Sequence, residues 1–169
     1  HSPYTLSLHD ALPIFKQLKS LGINTAIETS GQGSTKALIE LAPYLDLILF
    51  DLKIMDEKKS KLILGADLNL IKNNIKALVK MNKKVIPRVP LIPGYTLYDE
   101  NIKQIIIFVK SLNLTEIHLL PFHQYGSNKY KLLNKEYKLK DIAIPSTKDV
   151  EKVANEMRNN GLNVILNGL

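Results

Sequence analysis

The sequence predicts an α/β protein built from parallel βα units. Three observations carry that expectation. Helical and strand-like segments alternate without exception from about residue 15 to the end. The clearest strand, Leu45–Lys53, has an apolar run from Leu47 to Phe50 and again at Leu52, the pattern of a strand covered on both faces. Charged groups, Asp51 and Lys53, interrupt and follow that run at the C-terminal end, the end at which open α/β sheets and α/β barrels bind ligands.

The first fourteen residues, His1 to Ile14, show neither helical nor strand periodicity. Thr5 to Ile14 reads like the translation of a sequencing-library adapter, so residues 1–14 are expected to be non-native and 15–169 to form the domain. Phe15 to Gly22 reads as the last turns of a helix with Phe15, Leu18 and Leu21 on one face and Gly22 as its stop. Ile23 to Thr29 is a strand, and Ser30-Gly31-Gln32-Gly33 a turn. Ser34 caps a helix through Leu41. After the strand at 45–53, residues 58–66 give no clear pattern. Asn69–Met81 is a helix with Ile71, Ile75 and Leu78 in its stripe. Val85–Ile92 is a strand that Pro87 and Pro90 should make irregular or exposed. Asp99 is expected to cap a helix with Ile102, Ile105, Ile106 and Val109 inward, and Thr115–Leu120 is the next strand. A Tyr- and Lys-rich connection, 126–143, leads to a helix opened by Ser146 and Asp149 as a capping-box variant and stopped near Gly161, then to a short strand, Leu162–Leu166.

Composition narrows the function. At 169 residues the chain suits one domain or a large piece of one. It has no cysteine, which excludes a disulfide framework, a thiolate nucleophile and a cysteine-held metal or cluster for this chain. No apolar run approaches a membrane span and no signal peptide is apparent, so a cytoplasmic, non-membrane protein is expected. The net charge of +7 comes from two arginines, Arg88 and Arg158, and 21 lysines against 16 acidic residues. The lysines are dispersed without aromatic interleaving, so nucleic acid is not the expected partner. Neither a G-x-G-x-x-G after a strand nor a P-loop occurs.

If the strands are parallel, four successive ones deliver polar groups to one rim: Glu28-Thr29-Ser30, Asp51-Leu52-Lys53, Arg88 and His123. Lys53 and Arg88 can meet a carboxylate, Glu28 or Asp51 an ammonium or hydroxyls, and His123 a hydroxyl or carboxylate. A zinc site from His118 and His123 is weak, because strand alternation sends them to opposite faces.

Four ordered motifs, Ile27-Glu28-Thr29-Ser30-Gly31, Phe50-Asp51-Leu52-Lys53, Pro87–Tyr95 and Leu119–Gly126 followed by Lys129-Tyr130, resemble the glycyl-radical enzyme activating enzymes of the radical S-adenosylmethionine superfamily. The resemblance implies the C-terminal part of an open (β/α)6 partial barrel. It implies S-adenosylmethionine and a [4Fe–4S] cluster as cofactors, with the cluster held by a C-x-x-x-C-x-x-C loop. It also implies a glycyl-radical enzyme, presenting its C-terminal glycyl loop, and a flavodoxin- or ferredoxin-type reductant as partners. By motif, Asp51, Leu52, Lys53, Arg88 and His123 would contact S-adenosylmethionine, with Glu28, Thr29 and Ser30 beside them. Glu28, Thr29 and Asp51 match a monovalent cation site in which aspartate is the pattern residue, so the longer Glu28 departs from it. The cysteine loop is absent, and the chain as written is expected to be inactive. Two alternatives stand beside this reading: a cysteine-free binding or regulatory module derived from the same barrel, and an unrelated α/β-barrel hydrolase or lyase using Glu28, Asp51 and His123 directly.

Overall fold

The computed structural model describes residues 8–167. Its five strands are β1 (Ala26–Thr29), β2 (Leu47–Asp51), β3 (Val85–Leu91), β4 (Glu116–Pro121) and β5 (Asn163–Leu166). They form one parallel sheet in sequence order, β1-β2-β3-β4-β5. Helices connect them: α1 (Leu8–Ser20), α2 (Thr35–Leu41), α3 (Glu57–Lys59), α4 (Leu68–Lys80), α5 (Asp99–Ser111), α6 (Ser127–Leu132) and α7 (Thr147–Asn159). The chain divides into two compact units. One comprises the described residues up to Asp51 together with Asp56–Pro87; the other comprises Leu52–Met55 and the residues from Arg88 onward.

In the first unit, β1 and β2 pair from Ala26↔Leu47 to Thr29↔Phe50. Ile48 and Phe50 are fully buried, as the apolar run of β2 requires. α2 packs against α4, and Ser34 Oγ caps α2 by accepting from Ala37 N–H at 3.3 Å. Asp46, just before β2, accepts from Thr25 N–H at 2.9 Å and pairs with Lys19. The hydrogen bond from Lys19, then that from Thr25, holds its carboxyl below the ordinary aspartate value.

Two expectations fail here. α1 begins at Leu8, so residues 8–14 are helical although they were read as aperiodic. The spacing Ala11, Leu12, Phe15, Leu18 continues the later stripe backwards, and Pro13 within the helix removes only one donor. Leu21 was expected on that stripe but lies beyond the helix and is 66% exposed. The patternless stretch after β2 is α3 running into a single π turn, Ser60–Leu64, stopped by Gly65 at φ +63°.

In the second unit, β3 and β4 pair from Arg88↔His118 to Leu91↔Pro121, and β4 and β5 from Glu116↔Asn163 to Leu119↔Leu166. Val89, Leu91, Ile117 and Leu119 are fully buried. β3 is neither irregular nor exposed, contrary to the proline argument: it is one unbroken strand. It is the central strand, and every residue but Pro90 is buried. Successive residues of a parallel strand bond to alternate neighbours, so prolines three apart each remove a donor from a different edge. Neither neighbouring strand loses two. Asp99 is not the cap of α5: Tyr98 is, without a side-chain bond, and Asp99 occupies the first turn with Lys152 Nζ 2.9 Å away. α4 and α5 are followed by asparagines in the left-handed region, Asn82 and Asn113, whereas the sequence reading looked only for glycine.

The capping box on α7 is present in both directions: Ser146 Oγ accepts from Asp149 N–H, and Asp149 Oδ2 accepts from Ser146 N–H and hydroxyl. Those bonds hold the Asp149 carboxyl below the ordinary aspartate range. A carboxyl lowered in the folded state stabilises above the unfolded value, near 3.9, and that contribution is lost as pH falls through the folded value. Independently of that titration, Ser146→Ala removes the helix cap, a loss that typically costs about 1 kcal/mol. It should also raise the Asp149 titration midpoint, followed by the carboxyl carbon signal in an NMR pH series.

Candidate functional site

The expected site residues fall into two groups, one in each unit. In the first unit, Glu28 and Thr29 end β1, with Ser30 next along the chain, and Asp51 ends β2. The register Thr29↔Phe50 puts Asp51 one position beyond Thr29, alongside Ser30. Glu28 is exposed; Thr29, Ser30 and Asp51 are half-buried. Glu28 and Asp51 each engage neighbours.

The turn after β1 is tightly specified. Thr29 Oγ1 accepts from Gly31 N–H at 3.1 Å, and Ser30 Oγ from Gln32 N–H at 3.4 Å. Gly31 has φ +71°, and a Cβ there would lie 2.2 Å from Cζ of the buried Phe50 ring. The turn's carbonyls are gathered by one side chain. Asn74 of α4, 1% exposed, donates through Nδ2 to Gly31 O at 2.8 Å and Gly33 O at 3.1 Å, and its Oδ1 accepts from Thr35 Oγ1 at 2.6 Å.

In the second unit, Leu52 is buried and its N–H donates to Arg88 O at 2.8 Å. Lys53 follows, half-buried. Arg88 is 8% exposed and not without partners, as a buried guanidinium requires. It is the fourth of seven residues in β3, not the last, and pairs with His118 rather than with the end of β4. His123 lies two residues past β4 and is exposed. Its Nδ1 accepts from Tyr125 N–H at 3.3 Å, and its ring stacks on Tyr125 at 4.5 Å between centroids. Neutral His123 therefore carries its proton on Nε2 and offers a donor there. Gln124 fastens the chain that follows: its Nε2 lies 3.0 Å from Leu139 O and 2.9 Å from Ile142 O.

His118 and His123 do not converge. His118 is buried with Nε2 2.9 Å from Glu116 Oε1, and its Nδ1 has no hydrogen-bond partner among the described residues. Among the described residues no cluster of three or more His, Asp or Glu side chains suits a metal ion. A cleft of about 440 Å³ lined by Tyr130 and Lys135–Leu139 contains none of the expected residues.

Sequence reasoning missed the asparagines that hold these loops. The signal was present: Asn74 and Asn101 sit within the apolar stripes of their helices, next to Ile75 and Ile102. A polar residue on a core face implies a buried amide with a fixed set of partners.

Comparison with known proteins decides what this arrangement is related to. The pyruvate formate-lyase 2-activating enzyme of Escherichia coli K12 is 40% identical over 158 residues, covering 94% of this chain and 54% of that protein. Other curated relatives are activating enzymes too. The chain is a homologue of the glycyl-radical activating enzymes. It spans about half the length of the curated relatives it matches. No family model matches it. The crystal structure of a domain of pyruvate-formate lyase-activating enzyme from Bacteroides vulgatus superposes with TM-score 0.78 at 24% identity, covering 95% of this chain and 91% of that one. Streptococcus suis SuiB bound to S-adenosylmethionine superposes with TM-score 0.68 at 18% identity, over 94% of this chain and 36% of that one. These likenesses establish the fold alone: a parallel α/β sheet with helices between its strands.

Gly31→Ala is expected to destabilise the chain by on the order of 3 kcal/mol, since it adds a left-handed penalty to an overlap with Phe50. The midpoint of urea unfolding measures this. Pairing it with Phe50→Leu should recover the overlap part and leave the conformational part.

Proposed function

We propose that this chain supplies the cofactor-facing C-terminal portion of a radical S-adenosylmethionine activase, which generates a glycyl radical on a partner enzyme. The observation that carries this is the coincidence of the Asp51-Leu52-Lys53, Arg88 and His123 motifs with homology to activating enzymes across nearly the whole chain. Lys53 and Arg88 would meet the methionyl carboxylate. His123, whose Nδ1 is already engaged, would donate from Nε2 to a ribose hydroxyl or the carboxylate. Asp51 would face the cofactor, as would Lys53, with the buried Leu52 between them in the chain. Glu28, Thr29 and Asp51 would flank a monovalent cation, with Ser30 on the same turn.

The chemistry of the donor set fits S-adenosylmethionine but not the cluster. A [4Fe–4S] centre needs thiolates, and this sequence has no cysteine. Cluster binding therefore requires residues outside this sequence. Once bound, S-adenosylmethionine would supply radical chemistry on one-electron reduction, and the residues here would bind, orient and shield it. The partners of the whole enzyme would be a glycyl-radical enzyme, presenting its glycyl loop, and a flavodoxin- or ferredoxin-type electron donor. No helix of the described residues is long and apolar enough to cross a membrane.

Two measurements test this. The 169-residue chain, reconstituted anaerobically with iron and sulfide, should develop no cluster absorbance and release no 5′-deoxyadenosine from S-adenosylmethionine with dithionite. The same chain titrated with S-adenosylhomocysteine should show NMR shifts at Lys53 and His123. Lys53→Ala should weaken that binding about tenfold, equivalent to about 1.4 kcal/mol. Cofactor cleavage by the chain alone, or a titration that leaves Lys53 and His123 unmoved, would overturn the reading.

A further inference from the structure

Asn101 stands in the first turn of α5 and is 1% exposed. Its side-chain amide is engaged at both ends. Oδ1 accepts from Met55 N–H at 2.8 Å, while Nδ2 donates to Lys53 O at 2.8 Å and to Thr96 O at 2.9 Å. Two of these bonds bracket Ile54 in the tetrapeptide Leu52–Met55 that follows β2. Leu52, Ile54 and Met55 are buried, so apolar packing fixes the segment through three side chains and Asn101 fixes its backbone. Lys53 is the one member of the four whose side chain is not buried.

The third bond ties this segment to the end of β3. The Thr96 hydroxyl donates to Pro90 O and accepts from Ile92 N–H at 2.8 Å. Asn101 thus joins the chain after β2 to the turn after β3 by one planar group with two donors and an acceptor. No other residue type of that length offers this combination: aspartate retains only acceptors, and leucine neither donor nor acceptor.

We infer that Asn101 is a positioning residue, setting where the Lys53 ammonium is presented to a carboxylate-bearing ligand. The inference rests on the role proposed above for Lys53. It places a determinant of ligand affinity on a helix that presents none of the ligand-facing residues themselves.

Asn101→Asp separates the functions of the amide. Its carboxylate still accepts from Met55 N–H but cannot donate to Lys53 O or Thr96 O. Asn101→Leu loses all three bonds. Thr96→Val is the control, because it removes the hydroxyl bonds at the end of β3 and leaves the Thr96 carbonyl available to Asn101. In the 169-residue chain, Met55 amide exchange should be slow in the wild type and Asn101→Asp, and at least tenfold faster in Asn101→Leu. The Lys53 Cα and Cβ resonances should move in Asn101→Asp and stay in place in Thr96→Val. Affinity for S-adenosylhomocysteine should fall about tenfold in Asn101→Asp and stay within twofold in Thr96→Val, with thermal midpoints recorded for both.

If both variants weaken binding equally at matched loss of thermal stability, Asn101 is merely structural and the inference fails. It fails equally if Asn101→Asp leaves the Lys53 resonances unmoved. A wild-type chain that binds no S-adenosylhomocysteine removes the reading of Lys53 as a cofactor contact; the exchange and Lys53 resonances then decide by themselves whether Asn101 sets the position of Lys53.

Discussion

A parallel strand that stops beneath a helix leaves peptide groups with no ladder partner and little access to water. An unpaired buried peptide group costs about 1–3 kcal/mol. This chain meets that constraint with buried asparagine amides. Asn74 takes up the Gly31 and Gly33 carbonyls after β1, and Asn101 takes up the Lys53 carbonyl and Met55 amide after β2. Loops satisfied in this way have one conformation. Loops left to water have many, and a polar side chain carried on them would be ordered only by its ligand, at an entropic cost to affinity.

The same logic accounts for what could be read from sequence. Strand β2 was legible because a doubly covered strand is a continuous apolar run, and α4, α5 and α7 because their stripes repeat at helical spacing. Gly31 was legible as a turn, but the reason it must be glycine, the Phe50 ring against it, comes from packing between segments nineteen residues apart. The helix over residues 8–14 was lost because its short stripe was set aside together with the adapter-like segment. β3 was misjudged because proline was counted as a defect of the strand rather than of one edge of it.

Within the candidate site, the residue types were legible and their depths were not. Glu28, Asp51, Lys53, Arg88 and His123 were identified as polar groups following apolar runs. Their heights along the strands depend on register, which side-chain patterns leave open. Arg88 proves to be level with His118, five residues short of His123. The asparagines were passed over because an amide has no charge to draw attention to it, although its place in an apolar stripe is as informative as a charge at a strand end.

The prolines of β3 have a further effect before the chain folds. Val85-Ile86-Pro87-Arg88-Val89-Pro90-Leu91-Ile92 is rich in β-branched and aliphatic residues, the composition from which cross-β stacks form when chains meet unfolded. Pro87, Arg88 and Pro90 allow no window of five residues free of proline or charge within that stretch. In a native parallel sheet the two missing donors are divided between two neighbours and tolerated. In a stack of identical strands they would recur at the same level in every layer. The feature that made β3 look like a poor strand thus protects the centre of the sheet from pairing with copies of itself.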